Sequence, residues 1–126
     1  MNFATVSPLT LSFVGDGVYT LEVRKHIAKV NRPVGDMHNL AVGYVNATAQ
    51  AKAYKLIEPL LTETEISVFK RGRNAHTNGT PQNSTVGEYH TATGVEALFG
   101  YLYLSEQHNR ISELFKVIFG QETQNN

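Results

Sequence analysis

Two carboxylates stand where a helical core has no ordinary use for them. Asp16 lies in the middle of an apolar run, between Gly15 and Gly17, and Glu96 lies within Gly94-Val95-Glu96-Ala97-Leu98-Phe99-Gly100. An aspartate and two interior glycines each lower helix propensity by about 0.5–1 kcal/mol, so tertiary structure has to offset them. At helical spacing Asp16 shares a face with Ser12, Phe13, Tyr19 and Thr20, and Glu96 shares one with Ala92, Thr93 and Gly100. Small residues around an acid let a second helix approach closely. If the two faces meet, the carboxylates converge in a partly dry site, where their repulsion favours a retained proton or a bound divalent cation. The residues alone also leave a plainer reading open, in which each acid is paired with an arginine or satisfied by hydroxyls and has no catalytic use.

The second chemistry-bearing group is basic. Eleven Lys and Arg balance eleven Asp and Glu over the chain, but residues 24–73 hold nine basic residues against four acidic ones, a local excess of five. Lys70, Arg71 and Arg73, followed by Asn74, are the candidates for phosphate contacts, because arginine forks match phosphate oxygens in pairs. Their alternative role is a charged helix C-terminus favoured by the helix dipole. Lys52 and Lys55 are weaker candidates of the same kind.

The elements that must position these groups are helices. Ser7-Pro8 reads as a helix start, with the serine as cap, and the helix extends to about Val30. Its apolar residues cover nearly the whole circumference, which describes a helix enclosed by others. Asn31-Arg32-Pro33 breaks it, and Asp36 caps a second helix that continues through Leu40 to Ile57 and ends before Pro59. Thr62 to Glu65 fits a capping box that opens a third helix to about Arg73. Asn74–Asn83 is a polar loop by its Asn-Gly and Thr-Pro pairs. A fourth helix runs from about Ser84 to Leu104, and a fifth carries Ile111, Leu114, Phe115 and Ile118 before Gly120 closes it. No alternating strand pattern, repeat or low-complexity segment is present. The fold class expected is all-α, one domain over residues 1–126, with an ordered core at about 7–119 and a frayed tail at 120–126.

Composition narrows the function classes. There is no cysteine, which removes disulfides, thiolate metal sites and a cysteine nucleophile, and suits a reducing cytoplasm. The N-terminal stretch has no basic leader and meets Asp16 too early for a signal peptide or membrane span, so a soluble cytoplasmic protein is expected. No phosphate-binding glycine loop, dinucleotide turn or nucleophile elbow occurs. None of His26, His38, His76, His90 and His108 precedes an aspartate or stands at a metal-ligand spacing.

The run Leu11-Ser12-Phe13-Val14-Gly15-Asp16-Gly17-Val18 resembles the signature segment of the ribonuclease III family, and Gly94 to Leu104 is similar to the helix that bears the family's metal-binding glutamate. Val45-Asn46 and Lys70 to Asn74 fall in order between them, so the resemblance spans roughly residues 9–119. Longer family members carry further acids where this chain has Leu9, Ser12 and Thr93, and the Mini-ribonuclease III subfamily shares that reduced set. The resemblance implies a homodimer whose groove takes an RNA duplex. It implies that Asp16 and Glu96 are catalytic and hold Mg²⁺, with Mn²⁺ as a substitute, so that an activated water hydrolyses the phosphodiester. It further implies maturation of the 23S ribosomal RNA precursor, with a ribosomal protein presenting the substrate. A non-catalytic helical RNA-binding or dimerisation module is the rival reading, separated by whether metal-dependent cleavage occurs.

Overall fold

Burial on nearly every face, rather than along a single apolar stripe, singles out the helix around Glu96 as the centre of the fold. In the computed structural model, which describes residues 2–75 and 83–124 (the last four as backbone only), this helix is α5, Val86–Leu104. Ala92 to Val95, Ala97 to Gly100 and Leu102 are all buried. Around it pack α1 (Pro8–Ile27), α3 (Ala47–Ile57), α4 (Glu63–Arg73) and α6 (His108–Gln124), while α2 (Val34–Val45) lies against α1 and α3. Short 3-10 turns at Phe3–Thr5 and Glu58–Leu60 complete the described residues, which contain no strand. The all-α expectation holds. Most of the loop expected at Asn74–Asn83 lies outside the described residues.

The core is aromatic at its centre. Tyr19 of α1 meets Phe99 of α5 edge-on at 5.7 Å between ring centres and Phe115 of α6 at 5.0 Å, and Phe99 and Phe115 are 4.7 Å apart. These separations suit the ring quadrupoles better than parallel stacking would. Val23, Ile27, Ile57, Val95, Leu98 and Leu102 fill the space around them.

Three boundaries differ from expectation, each for a local reason. The single helix expected up to Ile57 is two, because Asn46 takes an extended conformation (φ −68°, ψ 161°) and its side chain accepts from the Ala49 N–H, ending α2 and capping α3. The second helix starts after Pro33 rather than at an Asp36 cap, and Ser7 precedes α1 without a capping bond from its side chain. Gly120 does not close α6, which continues to Gln124; among the described residues no glycine has the positive φ that such a stop uses.

The expected capping box at Thr62 is present and does more than cap. Glu65 accepts from the Thr62 N–H at 2.9 Å, and Arg110 of α6 grips the same carboxylate at 2.8 Å through both Nε and a terminal nitrogen, while also donating to the Leu60 carbonyl. Glu65 is 3% exposed, so it is a buried anion with every oxygen engaged. Burial alone raises its pKa, but the bonds from Arg110 and Thr62 outweigh this and leave it below its usual value. Arg110→Met leaves that carboxylate without its partner and is expected to destabilise the fold by roughly 3 kcal/mol at pH 7. A depressed carboxylate stabilises the fold above its unfolded pKa and ceases to do so as pH falls through its folded value. The gap between wild type and variant in urea unfolding should therefore narrow below about pH 4; a gap unchanged between pH 7 and pH 3 would contradict this account.

Candidate active site

Glycine brings the two acids together. A Cβ added at Gly15 would lie 1.6 Å from the Glu96 carbonyl oxygen, and one at Gly100 would lie 1.9 Å from the Leu11 carbonyl oxygen. Helices α1 and α5 therefore cross in direct backbone contact, a distance no residue with a side chain permits. Asp16 follows the glycine that rests on Glu96, so the crossing sets the two carboxyl groups close enough to act on each other's ionisation. On the other side of α5, Gly72 of α4 sits against Gly94 and Ala97, and Gly94 lies under the Phe69 ring.

Neutral polar groups surround the pair. Ser12, one turn before Asp16, donates from Oγ to Glu96 Oε1 at 3.2 Å, and the Gln50 side chain of α3 lies beside Glu96 in the same cavity. A cavity of about 260 Å³ opens here, lined by Leu9, Ser12, Val45, Gln50, Thr93 and Glu96 among others. Asp16 is exposed and lies outside that lining, whereas Glu96 is half-buried in it. Among the described residues no basic group forms an ion pair with either acid, and no cluster of three His, Asp or Glu exists that could hold a metal without other ligands. The arginine-paired reading that the sequence left open does not describe this site.

Burial pushes the Glu96 carboxyl up, and the hydrogen bond and negative charge of Asp16 push it further, to about 8, against partial relief from Gln50 and Ser12. Without a cation the pair thus retains a proton near neutral pH. A raised carboxyl pKa makes the folded state hold a proton that the unfolded chain has already released. Stability must then fall as pH rises from about 4.5 to about 8 and level off above. Glu96→Gln mimics the protonated acid, so in EDTA its melting temperature is expected to exceed that of wild type by a margin that grows from pH 5 to pH 9. Thermal melts at these values check this, and a constant margin would remove the retained proton.

The basic candidates separate. Arg71 is half-buried and donates to the Ala4 and Val6 carbonyls, tying the N-terminal segment to α4. Arg73 donates from Nε to the Asn74 side chain at 3.2 Å, and its guanidinium lies 5.7 Å from the Phe69 ring centre. Lys70 and Asn74 are exposed. Arg73 also shares a concavity of about 600 Å³ with Lys52, Lys55, Glu58 and Glu88, so the two lysines that ranked lower by sequence stand with the arginine that ranked higher. Gln50 was missed by sequence reading. Its signal was a long amide among alanines, Ala49, Ala51 and Ala53, on a helix whose other face is charged.

With this geometry in place, comparisons with known proteins are informative. A family model described as Ribonuclease III domain matches residues 9–107. The Mini-ribonuclease 3 of Thermoanaerobacter sp. (strain X514) is 45% identical over 114 residues, covering 90% of this chain and 80% of the relative. That of Symbiobacterium thermophilum is 44% identical over 116 residues, covering 91% and 89%. Among solved structures, protein FN1578 of Fusobacterium nucleatum has a TM-score of 0.88 at 31% identity, over 94% of this chain and 92% of that one.

Proposed function

This chain belongs to the ribonuclease III family, among the Mini-ribonuclease 3 proteins, and from that premise we propose that it is a Mg²⁺-dependent endoribonuclease that hydrolyses double-stranded RNA as a homodimer. One observation carries the catalytic part of this reading: Asp16 and Glu96 lie side by side on two crossing helices with no basic partner among the described residues. The residues fit a hard divalent cation. Two carboxylates, a hydroxyl and an amide supply oxygen donors only, and Mg²⁺ commonly takes one or two protein acids and keeps several waters. Mn²⁺ would accept the same set. When bound, the ion supplies a Lewis acid that activates water for in-line attack and offsets charge on the phosphate oxygens. Asp16 and Glu96 would hold it, and Ser12 keeps the Glu96 carboxylate oriented.

Lys70, Arg73 and Asn74, joined by Lys52 and Lys55, would grip the phosphates of the duplex, which is recognised mainly by its A-form shape. Arg71 contributes indirectly, by holding the N-terminal segment. The substrate proposed is the 23S ribosomal RNA precursor, in the cytoplasm, with a ribosomal protein presenting it. Among the described residues no helix is long and apolar enough to cross a membrane.

The homodimer is supported by a stripe on α1. Leu9, Phe13, Gly17 and Leu21 recur at helical spacing, and Phe13 is 81% exposed, Leu21 56% and Leu9 42%, although sequence reading expected an enclosed helix. A second copy of the same stripe covers such a face most simply. Phe13→Glu is expected to turn a dimer into a monomer in sedimentation equilibrium; a wild type that is itself monomeric at micromolar concentration would exclude this arrangement.

Incubation of a structured ribosomal RNA precursor with the protein, in Mg²⁺ and in EDTA, tests the function. Paired cuts across a duplex that require Mg²⁺ are the expected result. RNA that is bound yet left intact in Mg²⁺ would favour a non-catalytic binding module instead.

A further inference from the structure

Gln50 is 2% exposed, on the face of α3 that also carries Ala53, Tyr54 and Ile57. Its Nε2 donates to the Val45 carbonyl at 2.9 Å, which orients the amide and leaves Oε1 as the free end. That oxygen is buried and has no donor within reach among the described residues. Buried acceptors without a donor are rare and unfavourable, and one beside a candidate active site calls for a reason. Two hydroxyls of the same cavity are committed elsewhere. Ser12 gives its proton to Glu96, and Thr93 gives its proton to the Tyr89 carbonyl at 3.1 Å. Gln50 lines the same cavity as Ser12 and Glu96, and at about 260 Å³ it has room for several waters that could bring a donor to this oxygen.

We infer that Gln50 is a positioning residue for the divalent cation: its side chain steadies the Glu96 carboxylate, and its Oε1 accepts a hydrogen bond from the hydration shell of an ion held by Asp16 and Glu96. This rests on the metal reading proposed above. An ion with only two protein carboxylates keeps most of its shell as water, and those waters need outer acceptors to fix their orientation. Ser12 and Gln50 then divide the work around Glu96. The hydroxyl donates to its carboxylate, while the amide, anchored on the Val45 carbonyl, offers its oxygen to the hydration shell.

The test uses the RNA-free protein and Mn²⁺ as the probe, with affinity read by isothermal titration calorimetry for wild type, Glu96→Gln, Gln50→Met and Gln50→Glu. Melting curves establish that each is folded. Gln50→Met, which keeps length but removes the oxygen, is expected to weaken Mn²⁺ binding about tenfold, the usual size of an outer-shell effect. The Mg²⁺ concentration for half-maximal RNA cleavage should rise by a similar factor, with much of the rate regained at saturating Mg²⁺. Gln50→Glu restores an oxygen at the same place and should recover Mn²⁺ affinity, which a purely structural brace would not. Binding that is lost in Glu96→Gln but unchanged in Gln50→Met overturns the role of Gln50 alone. Binding that survives in Glu96→Gln overturns the metal reading and this inference with it.

Discussion

Glu96→Gln, and separately Asp16→Asn, should lower Mg²⁺-dependent RNA cleavage by at least about a thousandfold while the protein stays folded. The magnitude follows from losing one of the two carboxylates proposed to hold the ion, since an ion's stabilisation of such a reaction is worth several kcal/mol and a thousandfold is about 4 kcal/mol in the barrier. The fold is preserved because the two adjacent acids repel each other when both are ionised. Burial and the Asp16 charge already oppose ionisation of Glu96, so the amide removes repulsion and keeps the hydrogen bonding from Ser12 within reach. Loss of activity together with an unchanged or higher melting temperature in EDTA is thus the combined signature. Cleavage retained within tenfold in either variant would dismiss that residue as an ion ligand.

Gly15→Ala and Gly100→Ala should have the largest effects on stability. Each new methyl group would meet a main-chain carbonyl, at 1.6 Å and 1.9 Å respectively, and neither atom is the end of a flexible side chain. The helices must separate across the centre of the core, where Val95, Leu98 and Phe99 are fully buried. A loss of about 3 kcal/mol or more is expected, against a gain of up to about 1 kcal/mol that alanine brings in a helix. Gly43, in α2, is the control: a Cβ there has nothing within 4 Å, so Gly43→Ala should be neutral or mildly stabilising. Urea unfolding of the three variants separates close approach from helix propensity. A Gly15→Ala protein as stable as the Gly43→Ala one would refute the backbone crossing.

The acids were legible because they violate local preference. A carboxylate between glycines in an apolar helix is unfavourable by itself, and the same glycines that weaken the helix allow the crossing at which the carboxylates meet. The resemblance carried by those segments named the family that the comparisons also show. What the sequence hid was long-range or ambiguous. Arg71 looks like its neighbours Lys70 and Arg73, and only the docking of Ala4 and Val6 onto α4 shows that it also ties down the N-terminal segment. Asn46 is an acceptable helix residue on both sides, so its role as boundary and cap depended on how α3 turns toward α5. Gln50 was hidden for the opposite reason: an amide raises no alarm in an alanine-rich helix until its oxygen is found buried without a donor.

The backbone crossing of α1 and α5 also constrains how this chain can diverge. The outward stripe of α1 tolerates exchange of one apolar side chain for another, since Phe13 and Leu21 are more than half exposed in the single subunit. Insertion or deletion of one residue between Leu11 and Gly15 is another matter. It would turn Asp16 by about 100° around the helix and bring a side chain into the crossing. The meeting of the two carboxylates and foldability would fail in a single step, so length changes in this lineage are expected in the connections between helices and at the chain ends, with the interval from Leu11 to Asp16 kept constant.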